Sequence, residues 1–390
     1  MAAPPKSRRW SWRSQALRGV VYQVVALVLL VAAGHYLLGN TLANMRARGI
    51  HGGFGFLAEP SGFAIGESLI PYDSSDSYGY AYLVGLVNTL RVAAAGIVLA
   101  TVLGTLVGIG RMARNLLVRT LCGAYVESTR NVPLLLQLFM WYFTLTELLP
   151  PVDAALQPGP GLYFSKNGLQ FPLPHWASGH WGTLGGLALG LVAAWGWRRM
   201  ARRRFEATGR ALPVLLPALV VVLGGGVVGW LLGGAPAGFE MPEKTPITVV
   251  GGGAVTPEFL TVLIGLTTYT AGYIAEVVRA GIQSVAFGQH EAAAALGLTR
   301  WQELRLVQLP QALRVIIPPL TSQYLNLTKN SSLAVAVGYP DLVSISATAL
   351  NQSGLAIECI ALMMACYLTI SLVTSAAMNL YNRRAKLKER

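Results

Sequence analysis

The ionisable side chains that could do chemistry in this sequence lie mostly at the ends of apolar segments, and Arg91 is an exception. It falls near the middle of an apolar segment at 82–110. A guanidinium at that depth must face a protein-lined or water-filled space. It could pair with the carboxylate of a solute through charge-assisted hydrogen bonds, or with a buried acid such as Glu276.

A second group of polar residues lies inside a later apolar segment, where it could line a polar path or join neighbouring helices. These residues are Asn326, Thr328, Asn330 and Ser331. Motifs for catalysis are not found. None of the six lysines follows a glycine, which excludes a GxxxxGK[ST] phosphate loop, and the five histidines lack metal-ligand spacing. We therefore expect no catalytic residue, metal or cofactor in this chain.

The composition predicts an all-α integral membrane protein. Of 390 residues, 53% are hydrophobic and only 12% are charged, about half the charged share of a soluble domain. Apolar runs of about 20 residues are long enough to cross a bilayer as helices. We predict a polytopic transmembrane bundle of about eight helices, the fourth being the least secure. They lie at 20–38, 82–110, 131–149, 182–197, 212–233, 257–281, 314–333 and 354–381.

The net charge of +13 is distributed unevenly between the predicted loops. Lysine and arginine concentrate at 1–18, 111–130, 198–210, 279–314 and 382–390, whereas the opposite loops contain few of them. The positive-inside rule then places both termini and the 279–314 segment in the cytoplasm of a multi-pass inner-membrane protein. The basic segments act as topology anchors in contact with membrane lipid, and we expect no binding of nucleic acid.

Four segments follow from these features. Residues 1–81 contain an anchor helix and a periplasmic loop, and 82–149 form the first part of a helical core. From 150 to 256 the composition becomes rich in proline and glycine around "PPVDAALQPGPG", and an extra transmembrane hairpin follows, which indicates an insertion. Residues 257–390 form the second part of the core.

The stretch at 288–310, "GQHEAAAALGLTRWQELRLVQLP", predicts two short helices joined at Gly297. Glu291 lies near the start of the first helix, where its negative charge interacts favourably with the positive end of the helix dipole. Gly297 can adopt the left-handed conformation that ends a helix. Thr299 and Gln302 have the spacing of a capping box for the second helix, and Pro310 should stop it or kink the chain back into the bilayer.

This stretch resembles the EAA loop of import permeases of the ATP-binding-cassette (ABC) class. The pattern is EAA, three residues, Gly, nine residues, then Ile-x-Leu-Pro, and the single departure is a valine in place of isoleucine. The matching residues are Glu291, Ala292, Ala293, Gly297, Val307, Leu309 and Pro310. The stretches "YTAGYIAEVVRAGIQSVAFG", "NLTKNSSLAVAVGYPDL" and "YVESTRNVPLLLQLFMWYF" are similar to the polar amino-acid group of these permeases.

The resemblance implies a type I ABC importer architecture and the uptake of L-amino acids, with broad specificity. It also implies partners: a second homologous permease subunit, a dimer of ATPase subunits that binds ATP and Mg²⁺, and a periplasmic amino-acid-binding protein. The seven matching residues would couple this chain to the ATPase. Two alternatives remain open, an ion-coupled secondary carrier and an ABC permease for another small polar solute.

Overall fold

The computed structural model describes residues 15–47, 52–209, 212–245 and 248–385. The expectations for the two termini therefore lie, in large part, outside the described residues. Helices dominate the described chain, as predicted. They are α1 (Gln15–Ala47), α2 (Tyr78–Gly110), α3 (Leu116–Asn131), α4 (Leu134–Phe143), α5 (His180–Thr208), α6 (Leu215–Leu232), α7 (Pro257–Gln283), α8 (Phe287–Ala295), α9 (Arg300–Glu303), α10 (Leu309–Asn330), α11 (Leu342–Ser353) and α12 (Ala356–Ala385).

Five of these helices are long and apolar enough to cross a membrane, and the number rises to six if Arg300–Val337 and Leu342–Ser353 count as one span. The five correspond to the predicted first, second, fifth, sixth and eighth helices. A shorter apolar helix at Leu134–Leu148 corresponds to the third. The fourth, α5, has 29 residues and would extend about 43 Å at 1.5 Å per residue. The prediction of a polytopic helical bundle is confirmed.

Two kinds of element were absent from the sequence prediction. Helix α3 occupies the basic segment expected to be a loop, and the Asn115 side chain caps its first turn by accepting from the Val118 N–H. Short strands also occur in the 150–256 segment, and four of them form one antiparallel sheet in the order β1-β2-β3-β8. These are β1 (Leu156–Gly159), β2 (Leu162–Ser165), β3 (Gly168–Phe171) and β8 (Gly253–Val255). The strands between them form two two-stranded sheets, β4 (Leu173–Pro174) with β5 (Phe239–Glu240) and β6 (Glu243–Lys244) with β7 (Val249–Val250).

The contacts divide the chain into two compact units, 1–88 with 340–376, and 89–339 with 377–390. In the described part of the first unit, Phe56, Tyr78 and Tyr82 form an apolar core with Leu342 and Cys359. Hydrogen bonds support this core from its edge. The Tyr82 hydroxyl donates to Ser346 at 3.2 Å, and the Asn88 amide donates to the carbonyls of Glu67 and Pro340 at 2.8 and 2.9 Å.

In the second unit, α2 and α7 pack closely because glycine on α2 leaves room for α7. A Cβ on Gly104 would lie 2.7 Å from Ile274, and one on Gly108 would lie 2.7 Å from the carbonyl oxygen of Ala275. Close backbone approach at small residues is a common way for helices to associate in membranes. The core around this contact includes Leu266 and Leu327, both fully buried.

The inserted hairpin is held together by facing glycines. A Cβ on Gly186 of α5 would lie 2.0 Å from the carbonyl oxygen of Gly225 on α6, and one on Gly229 would lie 2.1 Å from that of Gly182. No larger residue fits at these positions without separating the helices. At the base of the insertion β3 pairs with β8, where Phe171 lies opposite Gly253.

Candidate functional site

The 288–310 loop begins with α8, which ends in a Schellman motif. Gly297 has φ 71°, the left-handed conformation predicted for it. The Leu298 N–H donates to the carbonyl of Ala293 at 3.1 Å, and the Gly297 N–H donates to that of Ala294 at 2.9 Å. This pair of bonds satisfies carbonyls that the end of a helix leaves open, so the turn is fixed at Gly297.

The second helix of the loop starts at the predicted capping box. The Gln302 N–H donates to the Thr299 hydroxyl at 3.4 Å, and the Thr299 N–H donates to the Gln302 side-chain carbonyl at 2.9 Å. From Arg300 the chain is helical through a π-turn at Leu304–Gln308 and into α10.

Of the two alternatives predicted for Pro310, a stop of this helix or a kink back into the bilayer, the first is wrong. Pro310 lies in the first turn of α10, directly after the π-turn. Because proline lacks an N–H and crowds the preceding turn, a locally widened helix can accommodate it where a regular α-helix would break. The second half of the loop is consequently the N-terminal extension of α10.

Two side-chain contacts fix α8 against this extension. The His290 Nδ1 contacts the Glu303 Oε1, and the Gln311 Nε2 donates to the Gln289 Oε1 at 3.2 Å. Ala293 is 2% exposed, so one face of α8 is packed against the protein. We call these contacts of His290 with Glu303 and of Gln289 with Gln311 the clamp. With them, α8 and the start of α10 can move as one body.

The outer surface of the loop is exposed and partly apolar. Phe287, Leu296 and Trp301 are 75%, 79% and 68% exposed. Glu291 and Ala292, by contrast, add a charge and a small side chain to the same exposed helix. Large apolar side chains that are left exposed are available for contact with a partner. The seven residues matched to the EAA pattern thus lie in one continuous loop, of which Ala293 alone is buried.

The base of the loop is joined to the core through α7. Gly281, near the end of α7, lies so close to α10 that a Cβ there would be 2.2 Å from the Cγ1 of Ile316 and 3.3 Å from the carbonyl oxygen of Ala312. Ile316 and Ala312 are 5% and 1% exposed. The backbone of α7 at Gly281 therefore lies directly against α10.

Glu276 of α7 lies among three arginines. It contacts Arg111 and Arg279, and its Oε2 lies 4.0 Å from the Arg130 guanidinium. Arg279 is three residues away on the same helix, a spacing at which side chains commonly pair. Arg111 and Arg130 come from α2's end and from α3, so only the fold shows that they join this cluster.

The proposed substrate-path residues do not share one environment. The Arg91 guanidinium lies 4.1 Å from the centroid of the Phe259 ring, a cation–π contact. Thr328 and Ser331 are buried and donate to the carbonyls of Tyr324 and Thr328 at 2.9 and 2.8 Å. Their hydroxyl protons are thereby used within the helix.

Asn326 is exposed and Asn330 half-buried. Arg91 is half-buried as well. The contact between His290 and Glu303 could not be predicted from the sequence, because the two residues lie 13 positions apart on either side of a turn. Within the described residues, no three of His, Cys, Asp and Glu cluster as a metal site would require.

The fold and the loop together define a class of protein, a multi-pass membrane permease that presents a fixed helical loop for a partner. The chain belongs to a family described as the binding-protein-dependent transport system inner membrane component, whose model matches residues 182–387. Members of this family are transport subunits of the inner membrane and are not themselves enzymes.

Three curated relatives are similar to this chain over nearly its whole length. The general L-amino acid transport system permease protein AapQ of Rhizobium johnstonii is 43% identical, covering 98% of this chain and 96% of the relative. The putative amino-acid ABC transporter permease protein YhdX of Escherichia coli is 43% identical, covering 97% of each chain. The glutamate/glutamine/aspartate/asparagine transport system permease protein BztB of Rhodobacter capsulatus is 42% identical, covering 96% and 95%.

Proposed function

We propose that this chain is the permease subunit of an ABC importer that translocates L-amino acids across the bacterial inner membrane. All three relatives have names that mention amino acids, one of them general L-amino acids and another glutamate, glutamine, aspartate and asparagine. All such substrates have an α-carboxylate. The half-buried guanidinium of Arg91 is a group that could bind it.

The observation that carries the proposal is the construction of the 288–310 loop. Its first helix is fixed to α10 by the clamp, yet it exposes Phe287 and Leu296 almost completely. An element that only closed a loop would need neither rigidity nor exposed apolar side chains. A lever that receives force from a bound partner needs both.

In the proposed mechanism, two ATPase subunits bind and hydrolyse ATP with Mg²⁺, and one of them binds α8. When the ATPases approach each other, α8 moves and the clamp carries α10 with it. The contact of Gly281 with Ile316 then moves α7, and the helical bundle changes the side on which it is open. A second homologous permease subunit completes the path, and a periplasmic binding protein delivers the amino acid.

The proposed orientation follows from the charges. The positive-inside rule places the 288–310 loop and both termini in the cytoplasm, on the side where ATP is available. Residues 1–14 and 386–390, which contain the terminal arginines and lysines, lie outside the described residues. The orientation rests on their charge and on that of the 111–130 and 198–210 segments.

The experiment measures uptake of labelled amino acids by cells that express the intact system with Gly297→Pro or Glu291→Lys in this chain. Proline cannot adopt φ 71°, so the turn at Gly297 must rearrange. Gly288→Ala is the control, because Gly288 lies in the same loop, has open space for a Cβ, and needs no positive φ.

We expect both test variants to reach the membrane fraction in normal amounts and to lose uptake, while Gly288→Ala retains it. Normal uptake by Gly297→Pro and Glu291→Lys would overturn the coupling role. Uptake that continues after removal of every ATPase subunit would instead support an ion-coupled carrier. If only solutes other than amino acids accumulate, the assignment as a permease is retained and the proposed amino-acid substrate is contradicted.

A further inference from the structure

A groove lies at one end of the inserted hairpin, between α5 and the start of α6, far along the chain from the 288–310 loop. Its volume is about 830 Å³, within the range of about 300–1,000 Å³ typical of sites for small molecules. The lining is mainly apolar and combines aromatic, aliphatic and basic residues. Six that define it are Leu191, Trp195, Arg198, Arg202, Phe205 and Leu215.

The groove exists because the glycine contact between the two helices ends before the hairpin does. Gly190 is the last close contact on α5, where a Cβ would lie 2.7 Å from the Cα of Val222. Beyond it, large side chains such as Trp195 and Phe205 replace glycine on α5. Without small residues to bring the backbones together, the two helices need not touch here, and the groove lies in this part of the hairpin.

The charge at this end of the hairpin is strongly positive. Residues 198–206 contain five arginines and one acid, Glu206. The Arg202 Nε donates to Glu206 Oε1 at 3.0 Å, which uses one of its five donor protons, and Arg199 lies over the Trp195 ring at 5.4 Å. Among the described residues, no carboxylate forms an ion pair with Arg198.

We propose that this groove binds one anionic phospholipid. An acyl chain would lie against Leu191, Trp195 and Phe205, and the phosphate would be bound by Arg198 and Arg202. Guanidinium groups bind phosphate oxygens in pairs, and basic residues beside a span attract acidic lipids. A tryptophan at the boundary between apolar and basic residues is typical of the level of the headgroups.

A lipid suits this groove better than a protein segment does. The lining couples an apolar cavity to an excess of arginines, which matches a molecule with a long apolar part and one negative group. Trp195 and Phe205 are 62% and 53% exposed, as expected for side chains that face acyl chains. The proposal does not depend on the transport substrate, since the groove contains none of the residues assigned to coupling or to the solute path.

The test uses native mass spectrometry of the full-length chain, purified with its accompanying subunits in mild detergent. The probes are phosphatidylglycerol and phosphatidylethanolamine with identical acyl chains. Arg198→Gln/Arg202→Gln removes two charges from the groove, and Arg203→Gln/Arg204→Gln removes two charges from the same segment outside it. Because each basic residue near an acidic lipid contributes about fivefold in affinity, we expect the first pair to weaken phosphatidylglycerol binding about tenfold or more.

The second pair should weaken it less than threefold. Phosphatidylethanolamine has the same phosphate but no net charge, so the first pair should weaken its binding less than it weakens that of phosphatidylglycerol. Ala218→Phe fills the groove without altering charge and should displace both lipids, while the elution profile and amino-acid uptake stay normal. Equal loss in the two arginine pairs would overturn the proposal, because it would indicate attraction to the whole basic segment. Equal retention of the two lipids by the unmodified chain, or a second polypeptide bound across the groove, would overturn it as well.

Discussion

Alanine at Gly186 should destabilise the inserted hairpin, whereas alanine at the adjacent Gly185 should not. The Cβ added at Gly186 would lie 2.0 Å from the carbonyl oxygen of Gly225, where ordinary contact begins at 3.4 Å. The two helices would have to separate by about 1.4 Å along this face. The Cβ added at Gly185 meets nothing within 4 Å.

The free energies follow from this difference. Each substitution gains up to about 1 kcal/mol from the higher helix propensity of alanine. Only Gly186→Ala also incurs overpacking, which costs about 1–3 kcal/mol. The difference in unfolding free energy between the two variants is therefore about 1–3 kcal/mol, with Gly186→Ala the less stable.

The assay is thermal unfolding of the purified full-length protein in mild detergent, followed by the fraction that remains monodisperse on size-exclusion chromatography. A second pair on the facing helix repeats the comparison, since Gly225 is in contact with Gly186 and Gly224 has open space. If Gly186→Ala and Gly225→Ala unfold at the same temperature as Gly185→Ala and Gly224→Ala, the close packing of these helices is not what stabilises the hairpin.

Three further predictions concern single contacts. Glu303→Gln weakens the clamp with His290, so uptake per ATP hydrolysed by the intact system should fall at unchanged expression; an unchanged ratio would show that α8 does not need this contact. Arg91→Gln should raise the amino-acid concentration for half-maximal uptake about tenfold or more, the value of a lost charged hydrogen bond, whereas an unchanged value would limit Arg91 to packing on Phe259. Gly168→Ala places a Cβ 2.0 Å from the carbonyl oxygen of Val255 at φ 95°, so it should open the sheet to limited proteolysis near 156–171; unaltered cleavage would contradict the pairing.

The long helices could be predicted because a continuous apolar run leaves the backbone few alternatives in a membrane. The turn between α8 and α9 depends only on neighbouring residues, so the left-handed Gly297 and the capping box at Thr299 could also be predicted from the sequence. The same local rule failed at Pro310. The expectation that proline ends a helix took no account of a π-turn, which depends on the register of hydrogen bonds through the preceding turn.

Contacts between distant segments could not be predicted. Two of the arginines around Glu276 come from positions 111 and 130, and their separation from it along the chain contains no signal that they meet. The short strands were missed for a related reason. Strands of two to four residues are stabilised by their partners more than by their own composition, and β8 lies about 80 residues from β3.

The pairing of β3 with β8 brings the two ends of a long excursion of the chain side by side, with Phe171 opposite Gly253. The chain between β3 and β8, including both hairpin helices, therefore starts and ends at the same pair of strands. If the residues between Phe171 and Gly253 were replaced by a two-residue reverse turn, β3 and β8 would retain their register. Because its two ends are adjacent, an insertion at this point could have been acquired by a shorter ancestor with no change in the order of the other helices.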